Sequence, residues 1–454
     1  MTIFALSSGK GRAGVSVIRL SGTEAGAALK KITRKEKLPE ARKAVLRWLY
    51  DPKNSDDQKN RVRIDQALIL WFPAPASFTG EDVVEFHIHG GRAVVTGLMN
   101  ALGSLPGIRP AEAGEFTRRA FDNGKMDLTA AEGLADLINA ETEAQRRQAL
   151  RIMEGRLAYL YEGWRKNIIA AMAYLEADID FADEEIPEDV SAQVRPQVEK
   201  LQKEIRDHIE DGHKGELIRD GLQVVILGEP NIGKSTLLNH LSRRDVAIVS
   251  DIAGTTRDIL EVHLDIMGYA VTIVDTAGLR ESGDVIEAEG VRRAEERARK
   301  ADIKILMVDA REWPVLPART ESMVDKNTLI LLNKIDLLPQ IPDHLDLKDK
   351  DCIAVMGISA RGETGLGDFL DTLRQQVEIR MEFTEAPSLS RARHRVALMD
   401  CLDHLQRFLG QGDKDIELLA EDLRMAARAL GRITGLVDVE DILDVIFSEF
   451  CIGK

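Results

Sequence analysis

Residues 228–235 read GEPNIGKS, which fits the spacing G-x-x-x-x-G-K-S/T. Glycines in such a loop let main-chain N–H groups close on phosphate oxygens, while Lys234 adds a point charge and the Ser235 hydroxyl suits magnesium. The apolar run Leu222–Leu227 precedes the loop and Thr236–Leu241 continues it as a helix, so Asn231, Gly233, Lys234, Ser235 and Thr236 line a strand–loop–helix phosphate cradle. Three further groups follow in order. Asp275-Thr276-Ala277-Gly278 ends an apolar strand, where a carboxylate can hold magnesium's outer shell and a glycine N–H can meet a γ-phosphate. Asn333-Lys334-Ile335-Asp336 ends another, and Asp336 can accept hydrogen bonds from guanine N1–H and its exocyclic amine, a pair adenine lacks. Ser359-Ala360 follows a third strand and offers a backbone N–H to guanine O6. Four elements on successive strands predict a magnesium-dependent site for GTP and GDP.

Over 212–380 this order resembles the translation-factor-related GTPases, which implies that Thr256, in GTTRD at 254–258, is the switch threonine that ligates magnesium. Many signalling GTPases place a glutamine just after the DxxG segment to orient the attacking water. Leu279 stands there and has no hydrogen-bonding group. Glu281, Glu287 and Glu289 in the following loop are the alternatives, and spacing does not choose among them. No arginine is assigned to the transition state, although Arg257 and Arg280 lie in the loops. Asn231, inside the loop, carries a side-chain carbonyl able to ligate a monovalent cation near the β/γ-phosphates instead; loop packing is the alternative role.

The elements that must hold these groups divide the chain into parts. At 454 residues the chain exceeds one hydrophobic core. Residues 1–118 mix short strands (Ser16–Ile18, Ala67–Phe72, Val83–Ile88) with a helix at Ala93–Leu102, an α/β pattern. From 119 to 211 the spacing turns helical, with Leu128, Leu134, Leu137 and Ile138, then Leu157, Leu160, Trp164, Ile168 and Met172, and a break at Pro187. Residues 381–454 repeat the helical texture, with Leu398, Leu402, Leu405 and Leu409 on one face. Neither stretch has a core of its own, so they form one helical domain split by the insert at 212–380. The insert alternates apolar strands with helices, which predicts a mostly parallel sheet. The fold class is therefore multidomain α/β plus α, with an inserted P-loop, Ras-like GTPase domain. Net charge is −15, so RNA contact over the whole surface is disfavoured. No apolar run reaches the roughly 18 residues of a membrane span, and the N-terminus does not read as a secretory signal, so a cytoplasmic location is expected. Cys352, Cys401 and Cys451 are the three cysteines, without metal-binding spacing.

SFTGEDVVEFHIHGG at 77–91, GEFTRRAFDNGKMDLTAAEGLADLI at 114–138, the GTPase insert and Cys451-Ile452-Gly453-Lys454 together resemble the MnmE (TrmE) family of tRNA-modification GTPases over essentially the whole chain. The resemblance implies a potassium-activated GTPase, with Asn231, Ser250, Ile252 and Thr255 as potassium ligands; the family usually has threonine where Ser250 stands. It implies that Glu287 orients water, through a bridging water, when the G domains of a homodimer pair. The N-terminal domain resembles folate-binding domains of aminomethyltransferases. By that likeness Arg19, Glu81, Lys125 and Lys454 contact 5-formyltetrahydrofolate or a related tetrahydrofolate; without it they read as surface or interdomain salt-bridge residues. Gly9-Lys10 stands where the family usually has two prolines. Cys451 is implied in the modification chemistry; a prenylation box is the competing reading, but Gly453 and Lys454 do not suit one. The reaction implied is addition of an aminomethyl or carboxymethylaminomethyl group to C5 of the wobble uridine of certain tRNAs. The partner implied is the flavin-dependent MnmG (GidA), in a heterotetramer or larger, which would carry most of the tRNA affinity. The competing functions are a ribosome-assembly GTPase, against which the lack of a basic RNA-binding module counts, and a stand-alone folate-dependent transferase, against which the intact nucleotide motifs count.

Overall fold

The computed structural model describes residues 1–9, 11–53, 62–180, 190–243, 261–275, 296–316, 321–339, 351–381, 388–411, 416–437, 440–448 and 450–453. In chain order the elements begin β1 (Thr2–Leu6), β2 (Ala13–Ser21), α1 (Ala25–Thr33), β3 (Val45–Tyr50), β4 (Arg63–Phe72), β5 (Val83–Gly90), α2 (Arg92–Gly103) and β6 (Ile108–Pro110). Helices follow: α3 (Glu115–Asp122), α4 (Leu128–Asn139), α5 (Glu143–Met153), α6 (Arg156–Asp180) and α7 (Val190–Asp220). Then come β7 (Leu222–Gly228), α8 (Lys234–Ser242), β8 (Glu261–Ile266), β9 (Tyr269–Asp275), β10 (Ile303–Asp309), β11 (Thr328–Asn333) and β12 (Ala354–Gly357). The chain closes with α9 (Leu366–Met381), α10 (Ala392–Gly410), α11 (Ile416–Thr434) and α12 (Glu440–Ser448). By contacts it divides into two compact units, 1–135 with 152–194 and 407–454, and 136–151 with 195–406.

In the first unit a sheet runs β3-β4-β5-β2-β1-β6, with β6 parallel to β1 and the other neighbours antiparallel. Alternation along β5 sends Val84, Phe86 and Ile88 into the core and Glu85, His87 and His89 to the other face. Leu29 and Ile32 of α1 and Leu98 and Leu102 of α2 pack on the core face with Ile18, Leu20, Ile69 and Phe86. β1 carries no polar alternation because both its faces are covered. Phe4 joins the main core, while Ile3 and Ala5 meet Ala111 and Phe116. A short continuous apolar run of this kind shows no strand period, so it escapes a pattern search.

The helical part of this unit is built from segments on both sides of the insert. α11 lies along α6, burying Leu157, Trp164, Ile168 and Leu175 of one and Leu419, Leu423 and Leu430 of the other. Leu128, Ala131 and Ala135 of α4 pack against Leu443, Phe447 and Phe450. The helical domain is thus discontinuous, with the insert between its parts. Ile138, expected on the buried face, is instead exposed, because the apolar stripe of α4 runs through its alanines. Pro187 lies outside the described residues.

In the second unit the sheet order is β12-β11-β10-β7-β9-β8, parallel throughout except for β8 against β9. β10 is buried along its whole length, with Ile303, Ile305 and Met307 in one core and Leu306 and Val308 in the other. A strand covered on both faces reads as a continuous apolar run, which residues 305–308 show; Lys304, buried before it, is paired with Asp325. The parallel arrangement brings Gly228, Asp275, Asp309 and Asn333, the last residues of their strands, to one edge of the sheet. Cys352 sits just before β12 and is half-buried. Cys401 lies buried on α10, where burial pushes its thiol above the usual range. Leu398 and Leu405 share that face with Phe408, while Leu402 and Leu409 are half-buried at its margin.

Candidate functional site: a nucleotide cleft and an ion-paired sheet face

At the carboxyl edge of the parallel sheet the chain leaves β7 through a loop that only glycine allows at two points. Gly228 has φ 147° and Gly233 φ 109°, and a Cβ on Gly233 would lie 2.3 Å from Asn333 Nδ2. Asn231 takes the left-handed region at φ 59°, which asparagine tolerates, and is exposed. α8 begins at Lys234, so its unpaired N–H groups face the loop. Lys234 is 5% exposed and donates from Nζ to the carbonyls of Gly228 at 2.9 Å and Glu229 at 2.8 Å. Ser235 and Thr236 are exposed on the first turn.

Ser235 Oγ donates to Asp275 Oδ2 across 3.2 Å, and Asp275 is fully buried at the end of β9. A hydroxyl and a carboxylate at this separation, beside a helix N-terminus, form a hard-oxygen donor set that fits magnesium. Asn333 braces three segments at once. Its Nδ2 donates to the Ile232 carbonyl at 2.6 Å, and its Oδ1 accepts from the Ala360 N–H at 2.9 Å. Ser359 donates its N–H to Thr364 O at 2.9 Å, and its Oγ accepts from Gly362 N at 3.0 Å. Of the Ser359-Ala360 pair, expected to offer guanine O6 a backbone N–H, the Ser359 N–H goes to Thr364 and the Ala360 N–H to Asn333 in this structure. Asp336 sits exposed in the turn Ile335–Leu337, immediately after Lys334. Lys334 donates from Nζ to Asp309 Oδ2 at 2.9 Å. Asp309 escaped the sequence reading; Arg311, then Lys334, hold its carboxyl far below the usual carboxylate range.

Ser250, Ile252, Thr255, Thr256, Arg257, Thr276, Ala277, Gly278, Leu279, Arg280, Glu281, Glu287, Glu289 and Lys454 lie outside the described residues, as does Lys10. The described part of the cleft brings together Lys234, Ser235, Asp275, Asn333, Lys334, Ser359 and Ala360.

The second group of expected site residues lies in the first unit. Arg19, on β2, pairs across the strand with Glu85, donating from Nε at 3.0 Å and Nη2 at 2.9 Å. Its guanidinium lies 5.3 Å from the Phe78 ring centre and 5.9 Å from that of Phe116. Two residues along β2, on the same face, Ser21 donates to Glu81 Oε2 at 2.8 Å. Arg119 of α3 donates to the same carboxylate at 2.9 Å, to Glu115 at 3.0 Å and to the Met1 carbonyl at 2.9 Å. Lys125 is exposed beside Gly80. Glu85 and Arg119 were not singled out from sequence. Only strand register and a helix distant in the chain bring them to Arg19 and Glu81. With its carboxylate held and about 30% exposed, Glu81 keeps acceptor capacity toward solvent, which fits an amine-bearing heterocycle.

The C-terminal tail joins this domain. Ile452 bridges Ala113, and Ser7 Oγ donates to the Gly453 carbonyl at 2.9 Å. Gly453 has φ 103°, and a Cβ there would lie 2.2 Å from Leu6 O. Cys451 is exposed next to that bridge.

Comparison with known proteins agrees with this layout. Residues 2–125 match the family described as GTP-binding protein TrmE N-terminus, and residues 128–451 match the MnmE helical domain. A protein of Parvibaculum lavamentivorans named tRNA modification GTPase MnmE is 54% identical over 456 residues, covering 100% of both chains. One of the same name from Paramagnetospirillum magneticum is 52% identical, covering 100% of this chain and 99% of the relative. A Homo sapiens mitochondrial protein, 5-taurinomethyluridine-tRNA synthase subunit GTPB3, is 47% identical over 100% of this chain and 93% of its own.

Proposed function

The chain belongs to the MnmE family of tRNA modification GTPases, and on that premise we propose that it hydrolyses GTP to drive modification of the wobble uridine of certain tRNAs. The observation that carries the GTPase reading is the convergence of Lys234, Ser235, Asp275 and Asn333 at one edge of a parallel sheet. Lys234 and the α8 N-terminus would take the phosphates, Ser235 and Thr256 would hold magnesium with Asp275 behind them, and Lys334 and Asp336 would receive guanine. Magnesium, when bound, neutralises charge on the phosphate oxygens. In the same reading Asn231, Ser250, Ile252 and Thr255 ligate potassium, which would supply the positive charge that other GTPases take from an arginine. Glu287 would orient the attacking water. The side-chain chemistry of Leu279, which has no group to do so, supports that assignment.

The N-terminal domain, about 1–118, would bind a tetrahydrofolate through Arg19, Glu81, Lys125 and Lys454, and supply the one-carbon unit. Support comes from the Phe78, Arg19 and Glu81 arrangement and from the anchoring of the C-terminal tail on the same domain. Cys451, exposed there, would take part in the modification chemistry, in which an aminomethyl or carboxymethylaminomethyl group is added at uridine C5. A flavin-dependent partner of the MnmG (GidA) kind, with a homodimer of this chain, would complete a cytoplasmic enzyme. The word subunit in the human relative's name is in keeping with such a complex. The helical domain, 119–211 with 381–454, would carry the rearrangement of the GTPase domain, 212–380.

Purified protein combined with the flavin partner, GTP, folate and tRNA tests this directly. Modified uridine that requires every component is the expected result, and GTP turnover should be much faster in potassium than in sodium. Turnover equal in both salts would remove the potassium assignment, and unmodified uridine in the complete mixture would remove the rest.

A further inference from the structure

We propose that Asp309 is a positioning residue for guanine: it anchors the Lys334 side chain so that the stem, and not the charge, faces the base. Asp309 ends β10 directly opposite Asn333 in the β10–β11 register, which places its carboxylate beside the next residue, Lys334. Lys334 turns the chain at φ 69°, and its main chain is held by Ala310 N to Asn333 O at 2.9 Å and Leu337 N to Lys334 O at 3.0 Å. Its Nζ is fixed to Asp309 Oδ2 at 2.9 Å. The four-carbon stem is therefore tethered at both ends, a fixed apolar rail two residues before Asp336, and not a mobile arm.

Arg311 secures the other end of the device. Its Nε and Nη2 meet Asp309 at 2.9 and 2.7 Å, and its N–H reaches Oδ1 at 3.1 Å, so the carboxylate cannot swing toward the cleft. With its side chain 6% exposed, Asp309 is shielded from water that would weaken the pair. One carboxylate between two cations leaves a local charge of one positive unit, which favours an anionic nucleotide. Without Asp309 the Lys334 ammonium would be released to compete for solvent, and the rail would lose its order.

The inference rests on the guanine-site reading, and the test separates the two. GDP and IDP affinity, mant-GDP release, and KM with kcat for GTP are measured for wild type, Asp309→Asn, Asp309→Ala, Lys334→Ala and the Asp309→Ala/Lys334→Ala double variant. The proposal expects GDP release about ten-fold faster in Asp309→Ala, with KM rising by the same factor and kcat changing less than about two-fold. Affinity for GDP and for IDP, which lacks the exocyclic amine, should fall together, because a rail is blind to the group that Asp336 reads. In the Lys334→Ala background the Asp309 change should add nothing. Unchanged release in Asp309→Ala, a full additional loss in the double variant, or an altered GDP-to-IDP ratio overturns it. Should Asp309→Ala fail to fold, the near-isosteric Asp309→Asn carries the same comparison against a Lys334→Ala/Asp309→Asn double. Failure of wild type to bind GDP would instead sink the site reading itself.

Discussion

The nucleotide cleft and the outward face of the N-terminal sheet both gather charged side chains, but they do so on different plans. In the cleft, groups lie at the ends of parallel strands, and main-chain geometry does most of the placing. Gly228 and Gly233 shape the loop, α8 supplies N–H groups, and Asn333 ties the loop to Ala360. On the N-terminal face, side chains place one another: Glu85 holds Arg19, while Ser21 and Arg119 hold Glu81. The first plan is written in contiguous motifs. The second exists only after strands and a distant helix have come together, and each member depends on the next.

If the two plans are independent, Lys234→Ala gives the largest contrast. It removes the cation that touches the loop carbonyls and should weaken GTP and GDP binding at least about a hundred-fold, by loss of charge-assisted bonds. Tetrahydrofolate binding, read by fluorescence titration of the same preparation, should not move. A parallel loss of both ligands would break the comparison.

Gly453→Ala probes the tail that closes on the N-terminal domain. The added Cβ falls on Leu6 O in a backbone conformation with φ 103°, so the first unit should lose on the order of 1–3 kcal/mol. Thermal melting followed in the presence and absence of GDP should show a lower transition, with GDP affinity intact. An unchanged melt would mean that the tail contact contributes nothing.

A smaller effect is expected where side chains hold side chains. Among the described residues, Arg119→Ala leaves the Glu81 carboxylate with Ser21, and tetrahydrofolate affinity should drop about ten-fold while GTP turnover holds. Equal affinity in the variant would show that Glu81 needs no such support. The mildest probe is chemical. A maleimide should label exposed Cys451 in the native protein and leave buried Cys401 untouched until denaturant is added.

These contrasts also explain what the sequence made legible. The motifs at 228, 275, 333 and 359 announced the cleft because each is a local backbone requirement, and the apolar runs beside them marked strands β7, β9, β10 and β11. The split helical domain was legible from periodicity, since α6 and α11 each need a partner for an apolar stripe. Asp309 was not, because one aspartate at the end of an apolar run has no spacing rule. Its meaning comes from β10 lying beside β11. Glu85 and Arg119 stayed hidden for the same reason. Ile138 misled because a helical repeat of large side chains outweighed the alanines that in fact face the core. β1 was missed because burial on both faces erases the alternation that a strand normally shows.

The central claim is that the loop at 228–235 grips a nucleotide whose base is read beside Asp336. Calorimetric titration of the folded protein with GDP and with ADP, in magnesium and potassium, tests it most directly. Saturable binding of one GDP per chain with no measurable heat from ADP is the expected result; no binding of either, or equal binding of both, would contradict it.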